Sequence, residues 1–173
     1  MNGSHGMPHE AELGAFLGNP PSSPSGLPGL ARPDGVLFEY GDIETSSRLQ
    51  RDGERYVVMD RDRAREHRAA EFSHVEDAER FLAIRDGRGR TPGKWFEGRA
   101  TAPDDVEVTA GDGAYAFSWL EGSEEHLVRA FGVPEASTAY RMCWVRALPF
   151  AQVIEVVSSP DPLVLLREMR LVP

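Results

Sequence analysis

Catalysis needs a nucleophile, metal ligands or paired acids at workable spacing, and this sequence offers little of each. The five histidines are His5, His9, His67, His74 and His126. None pairs with a cysteine at metal-ligand spacing, so no zinc site, and no other metal or cofactor, is expected. Cys143, the single cysteine, lies in the apolar run Met142-Cys143-Trp144 with no general base beside it, which suits a core residue better than a nucleophile. No Gly-x-Ser-x-Gly elbow is present. Gly87-x-Gly89 follows a helix instead of a strand, the wrong context for a dinucleotide loop. The carboxylate pairs Asp104-Asp105 and Glu124-Glu125 fall in turns and read as solvated charge. The expectation is a protein that binds and does not catalyse.

Binding chemistry is concentrated between Arg85 and Phe96. Arg85, Arg88, Arg90 and Lys94 stand close together, with Thr91 between them, and lead into Trp95-Phe96. Guanidinium groups fork onto carboxylates or phosphates, and tryptophan is a frequent interface anchor. Two readings stay open: a binding finger, or a surface loop whose Trp95 folds into the core. Arg61, Arg63, Arg65 and Arg68, interrupted by Asp62 and Glu66, read as a solvated loop. Tyr115, Phe117 and Trp119 alternate and read as a core face.

The elements that must hold these residues are marked by turns and periodicity. Glycine and proline crowd residues 1–34, and Pro20 to Gly26 has linker composition, so this stretch is expected to be an arm carrying at most a short helix at Ala11–Leu17. Residues 35–173 are expected to form one domain. Val36–Tyr40 is a strand candidate, and Asp52-Gly53 predicts a hairpin between Ser46–Arg51 and Arg55–Asp60. Ser73-His74-Val75-Glu76 predicts a capping box, opening a helix from His74 to Asp86 with Val75, Ala78, Phe81 and Leu82 on one face, Phe72 as staple and Gly87 as a left-handed stop. Gly111-Asp112-Gly113 separates Val106–Val108 from Ala114–Leu120, and Glu121–Glu125 turns the chain into His126–Phe131. Tyr140–Trp144 reads as one more strand. Phe150–Val157 has helical spacing, and Asp161-Pro162 opens a last helix. The fold class is therefore α+β: a mainly antiparallel sheet with two or three helices packed on one side.

Bulk properties narrow the partners. A chain of 173 residues can bury a core without staples. A net charge of −9 disfavours nucleic acid and anionic membranes and favours a basic protein partner. No apolar run approaches membrane-span length, no signal peptide is expected, and the free thiol fits a reducing cytoplasm.

Tyr56-Val57-Val58, the run Phe72-Ser73-His74-Val75-Glu76-Asp77-Ala78-Glu79-Arg80-Phe81-Leu82, and Phe150-Ala151-Gln152-Val153-Ile154 before Ser158-Ser159 give the chain a family likeness. It resembles actinobacterial immunity proteins of the tuberculosis-necrotizing-toxin antitoxin type, which oppose NAD-glycohydrolase toxins. The resemblance spans roughly residues 35–169. It implies a monomer that binds a cognate secreted toxin one-to-one and occludes its active-site cleft. The contacts expected under that reading are Arg88, Arg90, Thr91, Lys94 and Trp95 on the loop, with Asp104, Asp105, Glu124 and Glu125 meeting basic surface around the cleft. The competing expectations are a small enzyme or ligand-binding domain with a pocket between sheet and helices, and a secretion-associated adaptor whose arm folds on a partner.

Overall fold

The structure is a computed structural model, and it describes residues 6–18, 34–41, 44–87 and 93–172. Arg88, Arg90 and Thr91 lie outside the described residues. Two antiparallel meanders meet edge to edge. The first comprises β1 (Val36–Gly41), β2 (Thr45–Asp52), β3 (Arg55–Asp62) and β4 (Arg65–Phe72); the second comprises β5 (Glu107–Gly111), β6 (Ala114–Glu121) and β7 (Glu124–Phe131). They join through β4 and β7 into one seven-stranded sheet of order β1-β2-β3-β4-β7-β6-β5. The junction is short: Ala70, Glu71 and Phe72 face Ala130, Arg129 and Val128.

The hairpins close where turn chemistry demands. Asp112 and Gly113 both take positive φ, 50° and 73°, as a two-residue loop with right-handed strand twist requires. In the β2–β3 hairpin Asp52 pairs with Arg55, so the loop is Gly53-Glu54, one residue later than expected. Arg61–Arg68 is no loop. Arg61 and Asp62 end β3, Arg65–Arg68 begin β4, and only Arg63-Ala64 turns between them.

Five helices are present among the described residues instead of two or three: α1 (Glu10–Leu17), α2 (Val75–Gly87), α3 (Val133–Val145), α4 (Phe150–Ser158) and α5 (Pro162–Glu168). The central one is α2. It packs on β3 and β4 and is flanked by α1, α3 and α4. This explains why Val75, Ala78, Phe81 and Leu82 are joined in burial by Ala83 and Ile84, leaving no broad solvent face. From the stretch assigned to the arm, α1 contributes Leu13 to the core, fully buried, with the nearby Met7. The span Tyr140–Trp144 is helix, not strand: Pro134 sits at the start of α3, and Ala136, Ala139, Met142 and Cys143 recur at helical spacing along its buried side.

Two expectations about the ends of α2 are corrected. The Ser73 hydroxyl does not cap Glu76. It accepts from the Leu127 amide at 2.8 Å, while the Ser73 amide donates to the Leu127 carbonyl at 3.0 Å, extending the sheet toward the helix start. Gly87 is the last residue of α2 and has no positive φ. A Cβ there would come within 2.7 Å of Phe16 and Val157, so glycine lets α1 and α4 approach the helix end. The start of α5 follows expectation: Asp161 Oδ1 accepts from the Val164 amide at 3.3 Å, with Pro162 in the first turn. No helix among the described residues is long and apolar enough to cross a membrane.

Candidate functional site

The β6–β7 hairpin and the first turn of α2 bring together two histidines, an aspartate and a tryptophan. Trp119 and His126 are cross-strand partners on β6 and β7, and alternation aims both at the helices. His126 stacks on Trp119 at 5.3 Å between ring centroids and on His74 at 3.8 Å. Asp77 stands one turn along α2 from His74, so it shares that helix face. His126 Nδ1 and Asp77 Oδ2 are hydrogen-bonded at 2.7 Å, and Arg80 approaches the other Asp77 oxygen at 3.8 Å. The outer imidazole nitrogens meet carboxylates of the turn: His126 Nε2 lies 3.5 Å from Glu121, and His74 Nε2 lies 3.0 Å from Glu124.

Burial and charge tune these groups. Asp77 is 1% exposed and His126 8%. The hydrogen bond to Asp77 holds the His126 imidazolium above the usual histidine range, against the opposing effect of burial and with help from the charges of Asp77, Glu121 and Glu124. The hydrogen bond from His74 holds Glu124 below the ordinary glutamate range. The Trp119 indole N–H is buried with no hydrogen-bond partner among the described residues.

The other face of the same hairpin is an acidic cleft of about 440 Å³ lined by Asp105, Glu107, Ser118, Trp119, Leu120 and Glu125. Register explains its composition. Leu120 opposes Glu125 and Glu107 opposes Ser118, and alternation turns all four away from the Trp119–His126 face. Leu120 is 69% exposed, an unusual fate for leucine. Asp105 is tied at 2.5 Å to Arg146, whose guanidinium lies 5.9 Å from the Trp119 ring centre.

Of the residues expected to make contacts, the structure gathers Asp105, Glu124 and Glu125 around this hairpin, and sets Asp104 apart in a shallow neighbouring cleft with Arg99, Val108 and Tyr140. Lys94 is exposed and pairs with Glu97 at 3.3 Å. That contact is the first reason Glu97 sits below the ordinary glutamate range, with Arg167 adding to it. Trp95 is 5% exposed and belongs to the core, where an indole presents little to a partner. The Lys94 carbonyl accepts from the Leu163 amide at 2.9 Å, clamping this end of the loop to α5. Cys143 is fully buried, and burial pushes its thiol up to about 12, so a thiolate at neutral pH is disfavoured.

Sequence reasoning does not find the histidine cluster. One local signal is available: His74 immediately precedes α2 and Asp77 lies in its first turn three residues on, spacing that aligns two ligands. The other half, His126, arrives only through the β4–β7 junction.

No protein-family model and no curated protein matches the sequence. Among solved structures the chain is similar in fold to Rv3902c from M. tuberculosis, with a TM-score of 0.51 and 14% sequence identity over 73% of this chain and 75% of that one. The chain thus has an α+β architecture that is also found in a mycobacterial protein.

Proposed function

We propose that this chain is an immunity protein that binds a cognate secreted NAD-glycohydrolase toxin and occludes its active-site cleft, acting as a monomer in the cytoplasm of the producing cell. The observation that carries the reading is the acidic cleft with Leu120 projecting beside it. A cleft that binds NAD must neutralise two phosphates, so its mouth carries basic donors. Glu107 and Glu125 offer such donors carboxylates, and Leu120 offers an apolar anchor to seat between them. The net charge of −9 steers association with a basic mouth. The likeness of the β3, α2 and α4 sequence segments to the immunity family supports the same partner. Arg88, Arg90 and Thr91 keep their place as proposed contacts on the loop between Arg85 and Phe96.

The test is toxin affinity by calorimetry, with NAD hydrolysis as the functional readout. Glu107→Lys with Glu125→Lys reverses two exposed charges and is expected to weaken binding by about 100-fold or more and to release toxin activity. Arg88→Ala with Arg90→Ala is expected to have the smaller effect. A folded double-lysine variant that still inhibits at wild-type concentration overturns the acidic-face reading.

A further inference from the structure

We infer that His74, Asp77 and His126 form a binding site for a divalent transition-metal ion, with zinc as the natural occupant. Each offers one ligand atom, and the three atoms lie within 4.8 Å of one another. Two imidazoles and one carboxylate are a donor set that zinc and its neighbours accept, usually leaving a further position open.

The surroundings are organised as a metal site requires. Asp77 divides its two oxygens: one faces Arg80, and the other is bonded to His126 Nδ1. An ion entering there takes the place of the proton in that 2.7 Å bond, and the two atoms need open only to about 3.3 Å to serve as adjacent tetrahedral ligands. Each histidine turns its outer nitrogen toward a carboxylate, His74 to Glu124 at 3.0 Å and His126 to Glu121 at 3.5 Å, and such partners raise the basicity of the inner nitrogen. The Ser73 hydroxyl sits 2.8 Å from His74 Nδ1, the inner nitrogen, and gives up that contact when an ion binds. Charge favours a cation: Asp77, Glu121 and Glu124 supply three negative groups, against Arg80 and two imidazoles that bind metal in their neutral form. The two imidazoles stack nearly parallel at 3.8 Å, so one ring, the partly exposed His74, must rotate for both lone pairs to meet one ion. Buried Asp77 and His126 lend the site low dielectric, where a divalent ion is held more strongly. This site and the acidic cleft share Trp119, which stacks on His126 and also lines the cleft.

The experiment uses the full chain carrying His5→Ala, because His5 and His9 are four residues apart and could chelate on their own. The protein is stripped with a chelator and titrated with zinc chloride by calorimetry. One equivalent is expected to bind with micromolar or tighter affinity, and cobalt(II) in its place is expected to develop visible absorption. His74→Ala, at a partly exposed position, and His126→Asn are each expected to weaken zinc at least about tenfold and abolish the cobalt spectrum, while His67→Ala leaves both unchanged. Should His126→Asn fail to fold, judged by circular dichroism, His74→Ala decides. No stoichiometric uptake, or uptake that survives His74→Ala in folded protein, overturns the site and leaves a hydrogen-bonded histidine–aspartate pair.

Discussion

The two ends of α2 bury charge in opposite ways. At the carboxy-terminal end Arg85 is saturated: its guanidinium donates to Asp60 at 3.1 Å, to Asp86 at 3.1 Å and to Ser47 at 2.8 Å, and lies 5.6 Å from the centre of the Phe81 ring. Burial opposes its charge, but Asp86, Tyr40 and Asp60 outweigh that and hold it protonated. Burial raises Tyr40 and Asp86 above their ordinary ranges, with Arg85 pulling each back. At the amino-terminal end the carboxylates outnumber the cations, and two histidines stack where a single cation, Arg80, approaches. A balanced cluster locks α2 to the sheet. An anionic one keeps capacity for a ligand.

The largest expected effect breaks the balanced end. Arg85→Ala leaves Asp60 and Asp86 partly buried without their main counter-charge and should lower unfolding free energy by about 3 kcal/mol or more, read from urea midpoints. Its zinc affinity should match the parent protein once folded. A loss below about 1 kcal/mol would place this cluster among ordinary surface pairs and remove the contrast between the two ends.

Between the ends lies Glu79, fully buried, and it sharpens the comparison. One oxygen accepts from the His9 amide at 2.8 Å, and the other has no partner among the described residues. Burial pushes its carboxyl up to about 7. A folded-state value above the unfolded one means that the folded protein holds this proton more tightly. Glu79 therefore weighs least on stability below the ordinary glutamate range, and stability is lost as pH rises toward about 7. Glu79→Gln keeps an acceptor for His9 but has no charge to bury. Relative to wild type it should gain about 3 kcal/mol at a pH of about 8 and little in acid, since each tenfold change in proton affinity between the two states is worth about 1.4 kcal/mol. Equal differences at both pH values would show that Glu79 titrates normally.

Local chemistry made part of this molecule legible. Asp112-Gly113, Gly122-Ser123 and Asp161-Pro162 each specify a turn or helix start within a few residues, and the structure uses all three. Strand β4 escaped because Arg65–Arg68 lie where the hairpin is wet on both sides, so no apolar alternation marks them. The end of helix α3 reads as a strand because Tyr140 and Trp144 carry aromatic β-character, while the cue that decides it, the small residues Ala136 and Ala139 against the core, is spread over the preceding turn. The site was least legible. His74 and His126 are far apart in the chain, and only the short β4–β7 junction brings them into contact. Long-range strand pairing leaves no short-range spacing to read.

The smallest effect on stability should come from Leu120→Ser, and it separates the two faces of the hairpin. Trp119 and Leu120 are neighbours in sequence and opposite in fate: Trp119 is 4% exposed and Leu120 69%. If Leu120 were structural, its loss would lower the unfolding midpoint. Its exposure predicts a change within about 0.5 kcal/mol and an unaltered zinc titration. Under the immunity reading the same substitution should weaken toxin binding by about 2 kcal/mol, roughly 30-fold, because an anchor that is exposed in the free protein becomes buried in the complex. Lost stability with unchanged toxin affinity would reverse the assignment, making the outer face scaffold.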